Sequence, residues 1–332
     1  MAYTPKEPPV RGILSGRGSK GAMQPEIKGK FPFFLLLIVL IGIFPFHAYS
    51  ETRTFTDQLG HRVVLAGNPQ RVVAFAPSIT EIIFALGQGS RLKGVTQFSN
   101  FPPEANQLPI VGSFINVDLE KIISLKPDLC IAIKDGNSRD DVQNLEALKV
   151  PVYAVNPKNL ESVMETVLEI GRLLDVSGKA ETVVEDMRTR IECIDALVST
   201  TDRRPHVFFQ IGIAPIVSVG THTFTHELIV RAGGINLAEG PIPYPRYSRE
   251  QVLALAPDVF IISSMERGEV FERVKAEWSR WSDLPAVRDH RICLVDSDIL
   301  DRPTPRMVDG LELLVKIIHP ELFGQDSGDK LP

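Results

Sequence analysis

The sequence contains few cysteines and no excess of positive charge. Its 332 residues include three cysteines, Cys130, Cys193 and Cys293. This excludes a disulfide-rich scaffold, and the spacings are not those of a zinc site or a CxxC redox centre. The 36 Lys and Arg against 41 Asp and Glu give a formal net charge of −5, whereas chains that bind nucleic acid are usually basic. The charge therefore predicts no nucleic-acid partner. At about 100–200 residues per domain, the length predicts two domains.

The sequence also lacks the local motifs of common enzyme classes. It has no G-x-S-x-G, H-E-x-x-H or P-loop pattern, and the GQG at 87–89 lacks the third glycine of a dinucleotide loop. His222 and His226 lie four residues apart beside Glu227, a spacing that could place two metal ligands on one helix face. We favour a polar loop that enters a helix and predict no metal site and no enzyme. An exported metal-dependent enzyme is the alternative.

One uncharged apolar run lies near the N-terminus. Residues 31–46 (FPFFLLLIVLIGIFPF) follow Lys28 and Lys30, an order typical of a secretory signal with a basic start and an apolar core. The run is shorter than the roughly 20 residues that span a bilayer as a helix. We therefore predict that residues 1–50 are a signal peptide with an N-terminal extension, cleaved after Ser50, and that the protein is periplasmic. A retained membrane anchor is the alternative.

A pattern of helix followed by strand occurs twice. VDLEKIISLKPDLCIA at 117–132 aligns with YSREQVLALAPDVFII at 247–262, which matches Glu120 with Glu250 and a Pro-Asp pair in both copies. The proline ends a short helix, because the residue before proline is pushed out of the helical region. The apolar run that follows is typical of a parallel strand buried on both faces. Because the copies lie so far apart, they indicate two similar lobes and not a solenoid.

Alternating strand-like and helix-like segments predict α/β lobes with parallel sheets. The predicted strands are 71–75, 130–133, 152–155, 206–210, 259–262 and 292–295, and the predicted helices are 80–86, 140–148, 225–232 and 270–278. Residues 159–200 break this alternation with a helical pattern, in which 179–198 would form a stiff helix between the lobes. We predict an N-terminal lobe over 51–158, a helical segment over 159–201, a C-terminal lobe over 202–320 and a disordered tail over 321–332.

Several short stretches together resemble a known family. They are RVVAFAPSITE at 71–81, FSNFPP at 98–103, LE at 119–120 with KPD at 126–128, FQIG at 209–212 and SREQ at 248–251. This set resembles the periplasmic binding proteins of the cobalamin and ferric-siderophore type, and the cobalamin-binding members of ABC importers most of all. The likeness runs from about residue 53 to 319.

The resemblance implies a fold and a function. The fold would be two Rossmann-like lobes with parallel sheets, bridged by a long rigid helix, as in class III periplasmic binding proteins. The protein would bind cobalamin or a related corrinoid in the cleft between the lobes, as transported ligand and not as cofactor. It would act as a monomer and deliver this ligand to an ABC permease dimer with its ATPase subunits. Haem or a ferric siderophore is the alternative ligand.

The resemblance also assigns residues to roles. The ligand-contacting positions it implies are Ser78, Phe98, Phe114, Ile133, Ile211, Tyr244, Asp298 and Arg302. It further implies that Glu120 and Glu250, one in each lobe, dock onto the permease. From the residues alone, both glutamates could simply favour the positive end of a helix. Asp298 and Arg302, in a loop that also holds Asp301 and Arg306, could equally form a structural salt-bridge cluster.

Overall fold

The computed structural model describes residues 52–264 and 269–323. The predicted signal segment, the cleavage point at Ser50 and residues 324–332 of the predicted tail lie outside this part. No helix in the described residues is both long enough and apolar enough to cross a membrane. Residues Pro320–Phe323, where the tail was predicted to begin, form a 3-10 helix.

The described chain opens with an antiparallel hairpin that the sequence analysis did not predict. Strand β1 (Thr52–Thr56) pairs with β2 (Arg62–Ala66). The buried carboxylate of Asp57 accepts hydrogen bonds from the backbone amides of Leu59 and His61 at 2.9 and 2.7 Å and so fixes the turn. Gly60 completes the turn with φ of +87°, a backbone conformation that side chains other than glycine rarely adopt.

The first sheet has four parallel strands in the order β4-β3-β5-β6. They are β3 (Val72–Ala74), β4 (Leu92–Val95), β5 (Leu129–Ile133) and β6 (Val152–Val155). The helices of this lobe are α1 (Pro77–Ala85), α2 (Leu119–Ser124) and α3 (Arg139–Ala147). Every residue of β3, β5 and β6 is buried, which explains why these strands appear in the sequence as continuous apolar runs.

Two helices follow the first sheet. Helix α4 (Leu160–Leu173) packs against α5 (Ser177–Val198), whose 22 residues extend about 33 Å at 1.5 Å per residue. The buried stripe of α5 joins one apolar core that includes residues of both sheets. Arg190 of α5 also forms ion pairs of 2.5 Å with Asp309 and 2.9 Å with Glu312 near the C-terminal end of the chain. The predicted bridging helix is therefore confirmed.

The second sheet is mixed. Its order is β10-β8-β7-β11-β12, with β9 also paired to β7. The strands are β7 (His206–Gly212), β8 (Ile216–Ser218), β9 (Ile235–Asn236), β10 (Arg246–Tyr247), β11 (Val259–Ser264) and β12 (Ile292–Asp296). The predicted strands β7, β11 and β12 are parallel, and β8 and β10 add an antiparallel edge. The sequence analysis missed β8, β9 and β10, which are only two or three residues long.

Five helices complete the second lobe. They are α6 (Phe224–Arg231), α7 (Arg249–Leu255), α8 (Glu269–Trp278), α9 (Pro285–Arg288) and α10 (Ser297–Leu300). A sixth helix, α11 (Met307–Ile318), follows them and packs against α5 and α6. The lobe boundaries predicted at residues 158 and 202 stay predictions. The two sheets and the long helix nevertheless give the predicted architecture, two Rossmann-like lobes bridged by a helix.

The predicted repeat is confirmed at the level of single hydrogen bonds. Asp118 and Ser248 hold equivalent positions and each caps its helix, α2 or α7, by accepting a bond from the amide three residues on. The aspartate of each Pro-Asp pair has an equivalent role as well. Asp128 accepts from the amides of Gln70 and Arg71 just before β3, and Asp258 accepts from the amide of His206 at the start of β7. The repeat therefore preserves the caps as well as the apolar pattern.

Candidate functional site

The loops after the strands of the first lobe are held together by Asn137. Its Nδ2 donates to the carbonyls of Phe75 at 3.0 Å and Phe114 at 2.7 Å, and its Oδ1 accepts from the amide of Ile133 at 2.8 Å. These bonds tie the ends of β3 and β5 to the loop that carries Phe114. Two of the predicted ligand residues, Phe114 and Ile133, are thereby brought together. The sequence analysis missed Asn137, whose signal is the Asp-Gly-Asn turn directly after a buried strand.

Phe114 lies against a glycine that leaves room for its ring. A Cβ built on Gly136 would come within 2.0 Å of the Phe114 ring, and Gly136 has φ of +132°. Phe114 is half-buried and Ile133 is 8% exposed. Ser78 is buried in the first turn of α1. Phe114 thus offers an accessible ring, whereas the side chains of Ser78 and Ile133 are largely covered.

Phe98 is the most exposed of the predicted ligand residues in this lobe. Its side chain is 66% exposed and its φ is +69°, a left-handed conformation that is costly for a bulky residue. The Phe98 carbonyl accepts hydrogen bonds from the amide of Asn100 at 2.9 Å and from Nη2 of Arg302 at 3.1 Å. The strained backbone is therefore held in part from the other lobe.

Charged residues of the two lobes meet beside Phe98. The carboxylate of Glu81 on α1, with a side chain only 2% exposed, accepts from Nη1 of Arg302 at 2.8 Å. It also accepts from Nε and Nη2 of Arg306 at 2.8 and 3.0 Å. Asp298 forms a 2.7 Å ion pair with Nη2 of Arg302 and accepts from Asn100 at 3.0 Å. We call Glu81, Asn100, Asp298, Arg302 and Arg306 the interlobe network.

Both terminal nitrogens of Arg302 take part in this network. Nη1 donates to Glu81 and to Oδ1 of Asn100, and Nη2 is bonded to the Phe98 carbonyl and to Asp298. Each terminal nitrogen of a guanidinium has two hydrogens. The structure thus brings Asp298 and Arg302 together as the salt-bridge alternative expected. Their role as ligand contacts stays a prediction.

A pocket of about 410 Å³ adjoins the network. Its lining includes Glu81, Phe84, Phe101 and Arg306, and the guanidinium of Arg306 lies 3.7 Å from the centre of the Phe101 ring. Among its lining residues in the described part of the chain there is none of the eight predicted ligand contacts. We therefore do not identify this pocket with the predicted cleft.

On the second lobe, Tyr244 and Ile211 occupy different settings. Tyr244 is 59% exposed in the loop before β10, whereas Ile211 is half-buried on β7. The surrounding protein raises the pKa of the Tyr244 phenol, and the carboxylates of Asp301 and Asp135 raise it further. Asp135 follows β5 of the first lobe and Asp301 follows α10 of the second. Tyr244 is therefore close to loops of both lobes.

Asp301 is an unusual carboxyl in this region. Burial of the carboxyl, reinforced by the charges of Asp298 and Asp296, raises its pKa to about 7, against the hydrogen bonds from Ser263 and Thr225. The residue as a whole retains exposed surface.

The two glutamates predicted to dock onto a permease occupy equivalent positions. Glu120 and Glu250 lie in the first turns of α2 and α7, and both are exposed. Hydrogen bonds from its own backbone amide and from the Ser248 hydroxyl lower the pKa of Glu250. Within the described ranges, neither carboxylate forms an ion pair within 4.0 Å. Both carboxylates are thus exposed at the matching helix starts of the two repeats.

In the cluster His222, His226 and Glu227, which could have supported a metal-dependent enzyme, His226 and Glu227 contact other protein groups. Nδ1 of His226 lies 3.0 Å from Nδ2 of Asn236, and Glu227 accepts from the amide of Leu160 at 2.9 Å. His222 is exposed. Over residues 52–264 and 269–323, no group of three or more His, Cys, Asp or Glu side chains is arranged to hold a metal ion.

Comparison with known proteins identifies the family. The model of the periplasmic binding protein family matches residues 72–299. The chain belongs to the periplasmic binding protein family. A vitamin B12-binding protein of Vibrio parahaemolyticus is 31% identical over 252 residues, which are 75% of this chain and 90% of that protein. The uncharacterized ABC transporter substrate-binding lipoprotein YvrC of Bacillus subtilis is 30% identical over 81% of this chain and 86% of its own length.

Solved structures support the same fold. The periplasmic vitamin B12 binding protein BtuF of Vibrio cholerae is 28% identical, with a TM-score of 0.67 over 77% of this chain and 99% of that one. The periplasmic heme-binding protein RhuT of Roseiflexus is 27% identical, with a TM-score of 0.70 over 77% of this chain and 100% of that one. The predicted family and fold class are confirmed. This periplasmic binding protein resembles substrate-binding components of transporters, a class of proteins that are not enzymes.

Proposed function

We propose that this periplasmic binding protein takes up cobalamin or a related corrinoid between its lobes and delivers it to an ABC permease dimer with its ATPase subunits. The observation that carries this proposal is the aromatic character of the accessible predicted contacts. Phe98, Phe114 and Tyr244 lie on loops beside the sheets of both lobes. Flat rings suit a large macrocycle, and a cleft between α/β lobes is a common ligand site.

The alternative ligands have weaker support from the same residues. A ferric siderophore would need several free cationic groups, but Arg302 and Arg306 are bonded to Glu81, and Arg249 is paired with Glu277 at 3.4 Å. Of the four arginines considered for such a site, this leaves Arg246, which is exposed. A haem ligated by a phenolate would need Tyr244 to ionise, and its raised pKa opposes this. Haem remains the second candidate, because heme-binding proteins are among the structural relatives.

Truncation of the exposed rings tests the proposed ligand site. We expect Phe114→Ala and Tyr244→Ala each to weaken cyanocobalamin binding by about tenfold, because a lost ring contact is worth roughly 1 kcal/mol or more. Isothermal titration of the protein expressed from its full-length sequence measures this. Trp281→Ala, which removes an exposed ring from a turn after α8, is the matched control and should bind as the parent does. Equal affinities in all four proteins would contradict the proposed site.

The transport role rests on the two exposed glutamates. We propose that Glu120 and Glu250 contact basic residues of the permease, because equivalent acidic groups on two similar lobes can match a two-fold partner. Reversing either charge to Lys should weaken binding to the reconstituted permease complex by about tenfold or more at low salt, with cyanocobalamin affinity unchanged. Glu181→Lys and Glu185→Lys, on the exposed face of α5, are controls. If the control variants weaken permease binding as much as Glu120→Lys and Glu250→Lys do, the proposed contact through these two glutamates is wrong.

Export and oligomeric state complete the proposal. We propose cleavage after Ser50, a periplasmic location and a monomeric mature protein. Intact-mass analysis of the exported protein should give a chain that begins at Glu51, and light scattering should give the mass of one chain. A chain that retains residues 31–46 would instead support the membrane-anchor alternative.

A further inference from the structure

Glu81 is a buried anion among isoleucines of helix α1. Its neighbours in α1 include Ile79, Ile82 and Ile83, all at most 1% exposed. A carboxylate in such a place is costly unless its oxygens are satisfied. Here Oε1 accepts from Arg302 and Arg306, and Oε2 accepts from Arg306. Charge-assisted and bidentate bonds of this kind are among the strongest in proteins.

The partners of Glu81 come from the opposite lobe, more than 200 residues away in sequence. Glu81 and Asp298 supply two negative charges, and Arg302 and Arg306 supply two positive charges, so the interlobe network is balanced. Removal of the Glu81 charge would leave two arginines facing one carboxylate. Breaking a buried pair by removing one partner is strongly unfavourable, because the remaining charge stays buried without compensation.

Arg302 connects this buried anion to the exposed ring of Phe98. The same guanidinium that binds Glu81 also donates to the Phe98 carbonyl at 3.1 Å and to Asn100. Phe98 holds a left-handed backbone conformation that a phenylalanine does not favour. Such a conformation persists only where the surroundings impose it. Arg302 is part of those surroundings, and Glu81 orients Arg302.

We propose that Glu81 is a positioning residue of this binding protein: by holding Arg302 and Arg306, it fixes the two lobes and the Phe98 ring at the cleft, and so sets ligand affinity without touching the ligand. The inference rests on the proposed ligand site between the lobes. It also assigns Arg302 to the support of Phe98, because its terminal nitrogens already bond to Glu81, Asn100 and the Phe98 carbonyl and form an ion pair with Asp298.

A double-mutant cycle tests the connection from Glu81 to Phe98. Glu81→Gln keeps the shape and removes the charge. We expect it to raise the cyanocobalamin Kd about tenfold, Phe98→Ala to do the same, and the double variant to lose little more than either single one, since coupled residues are not additive. Independent losses that multiply in the double variant, or a Kd for Glu81→Gln within twofold of the parent, would overturn the proposal.

A control separates positioning from general stability. Arg190→Met removes the ion pairs between α5 and α11 and should lower the free energy of unfolding while leaving Kd unchanged. If Glu81→Gln does not fold, Arg302→Lys tests the same contact. Lysine keeps the positive charge but lacks the planar guanidinium, which donates to Glu81 and to the Phe98 carbonyl at the same time. Unchanged affinity in Arg302→Lys would likewise overturn the proposal.

A measurement without ligand distinguishes failure of this inference from failure of the proposed function. Spin labels at Gln143→Cys in α3 and Ala276→Cys in α8, with the exposed Cys193 changed to Ser, report the distance between the lobes. The parent should give one narrow distance distribution and Glu81→Gln a broader one. If no ligand binds the parent, the proposed function is wrong, yet the distances still test Glu81. A narrow, unchanged distribution in Glu81→Gln would show that Glu81 does not position the lobes.

Discussion

At the scale of single residues, the half-buried Asn137 and the buried Glu81 organise the loops of the candidate site. Asn137 joins three loop segments, and Glu81 joins two lobes. Neither residue was predicted as functional from the sequence, because the partners of Glu81 lie 221 and 225 positions away. A carboxylate within an apolar helix pattern was the available signal. The sequence could show that Glu81 needed a partner, but not which one.

The role of Asn137 can be tested with an isosteric change. Asn137→Asp keeps the oxygen that accepts from Ile133 but cannot donate to the carbonyls of Phe75 and Phe114. Two part-buried carbonyls would lose their donor, so we expect the free energy of unfolding to fall by about 1–3 kcal/mol and cyanocobalamin binding to weaken. Urea denaturation and titration measure both effects. Asn144→Asp on the exposed face of α3 is the control, and an equal effect there would contradict the account.

The raised pKa of Asp301 predicts a pH-dependent stability. The folded protein holds this proton up to about pH 7, whereas an unperturbed aspartate loses it near 3.8. The unfolded chain therefore releases the proton first, and stability falls as pH rises through this interval. Asp301→Asn should raise the free energy of unfolding at pH 8 by about 1 kcal/mol, a value reduced for solvent screening of an accessible residue, and the gain should vanish at pH 4.

Urea denaturation of Asp301→Asn across this pH range measures the effect. Asp283→Asn, in an exposed turn, is the control and should show no such trend. A gain for Asp301→Asn that is the same at pH 4 and pH 8 would contradict the raised pKa.

At the scale of elements, local pattern predicted much and tertiary pairing decided the rest. Six parallel strands and the two copies of helix and strand were predictable, because burial on both faces and helix caps leave local signals, but the parallel strand β4 was missed. Strands β8, β9 and β10 were not predictable, because residues such as Ile235 and Asn236 become a strand only by pairing with β7. Asp298 was predicted in a loop but lies in the first turn of α10, whereas Arg302 follows that helix. Their salt-bridge network was one of two open alternatives.

The close packing of α4 on α5 yields a test with an internal control. A Cβ at Gly171 would lie 2.4 Å from Cβ of Ala180, whereas one at Gly178 would meet nothing within 4 Å. Gly171→Ala should therefore destabilise the protein by about 1–3 kcal/mol through overpacking. Gly178→Ala should instead be neutral or stabilise it by up to about 1 kcal/mol, since alanine favours a helix. Thermal unfolding compares them, and equal shifts in Tm would contradict the packing described.

At the scale of the whole molecule, two features connect the lobes. One is the long helix α5, which joins a core common to both sheets, and the other is the interlobe network. A stiff connection of this kind predicts a modest change in lobe separation when ligand binds, and not a wide hinge motion. Under the proposed function, the ligand would therefore bind between lobes that change their separation little.

The central claim is that this periplasmic binding protein binds a corrinoid. The most direct measurement is an isothermal titration of the protein, expressed from its full-length sequence, with cyanocobalamin, haemin and a ferric siderophore in parallel. We predict one saturable site per chain for cyanocobalamin and no comparable site for the other two. Saturation with haemin or the siderophore, with no heat from cyanocobalamin, would contradict the claim.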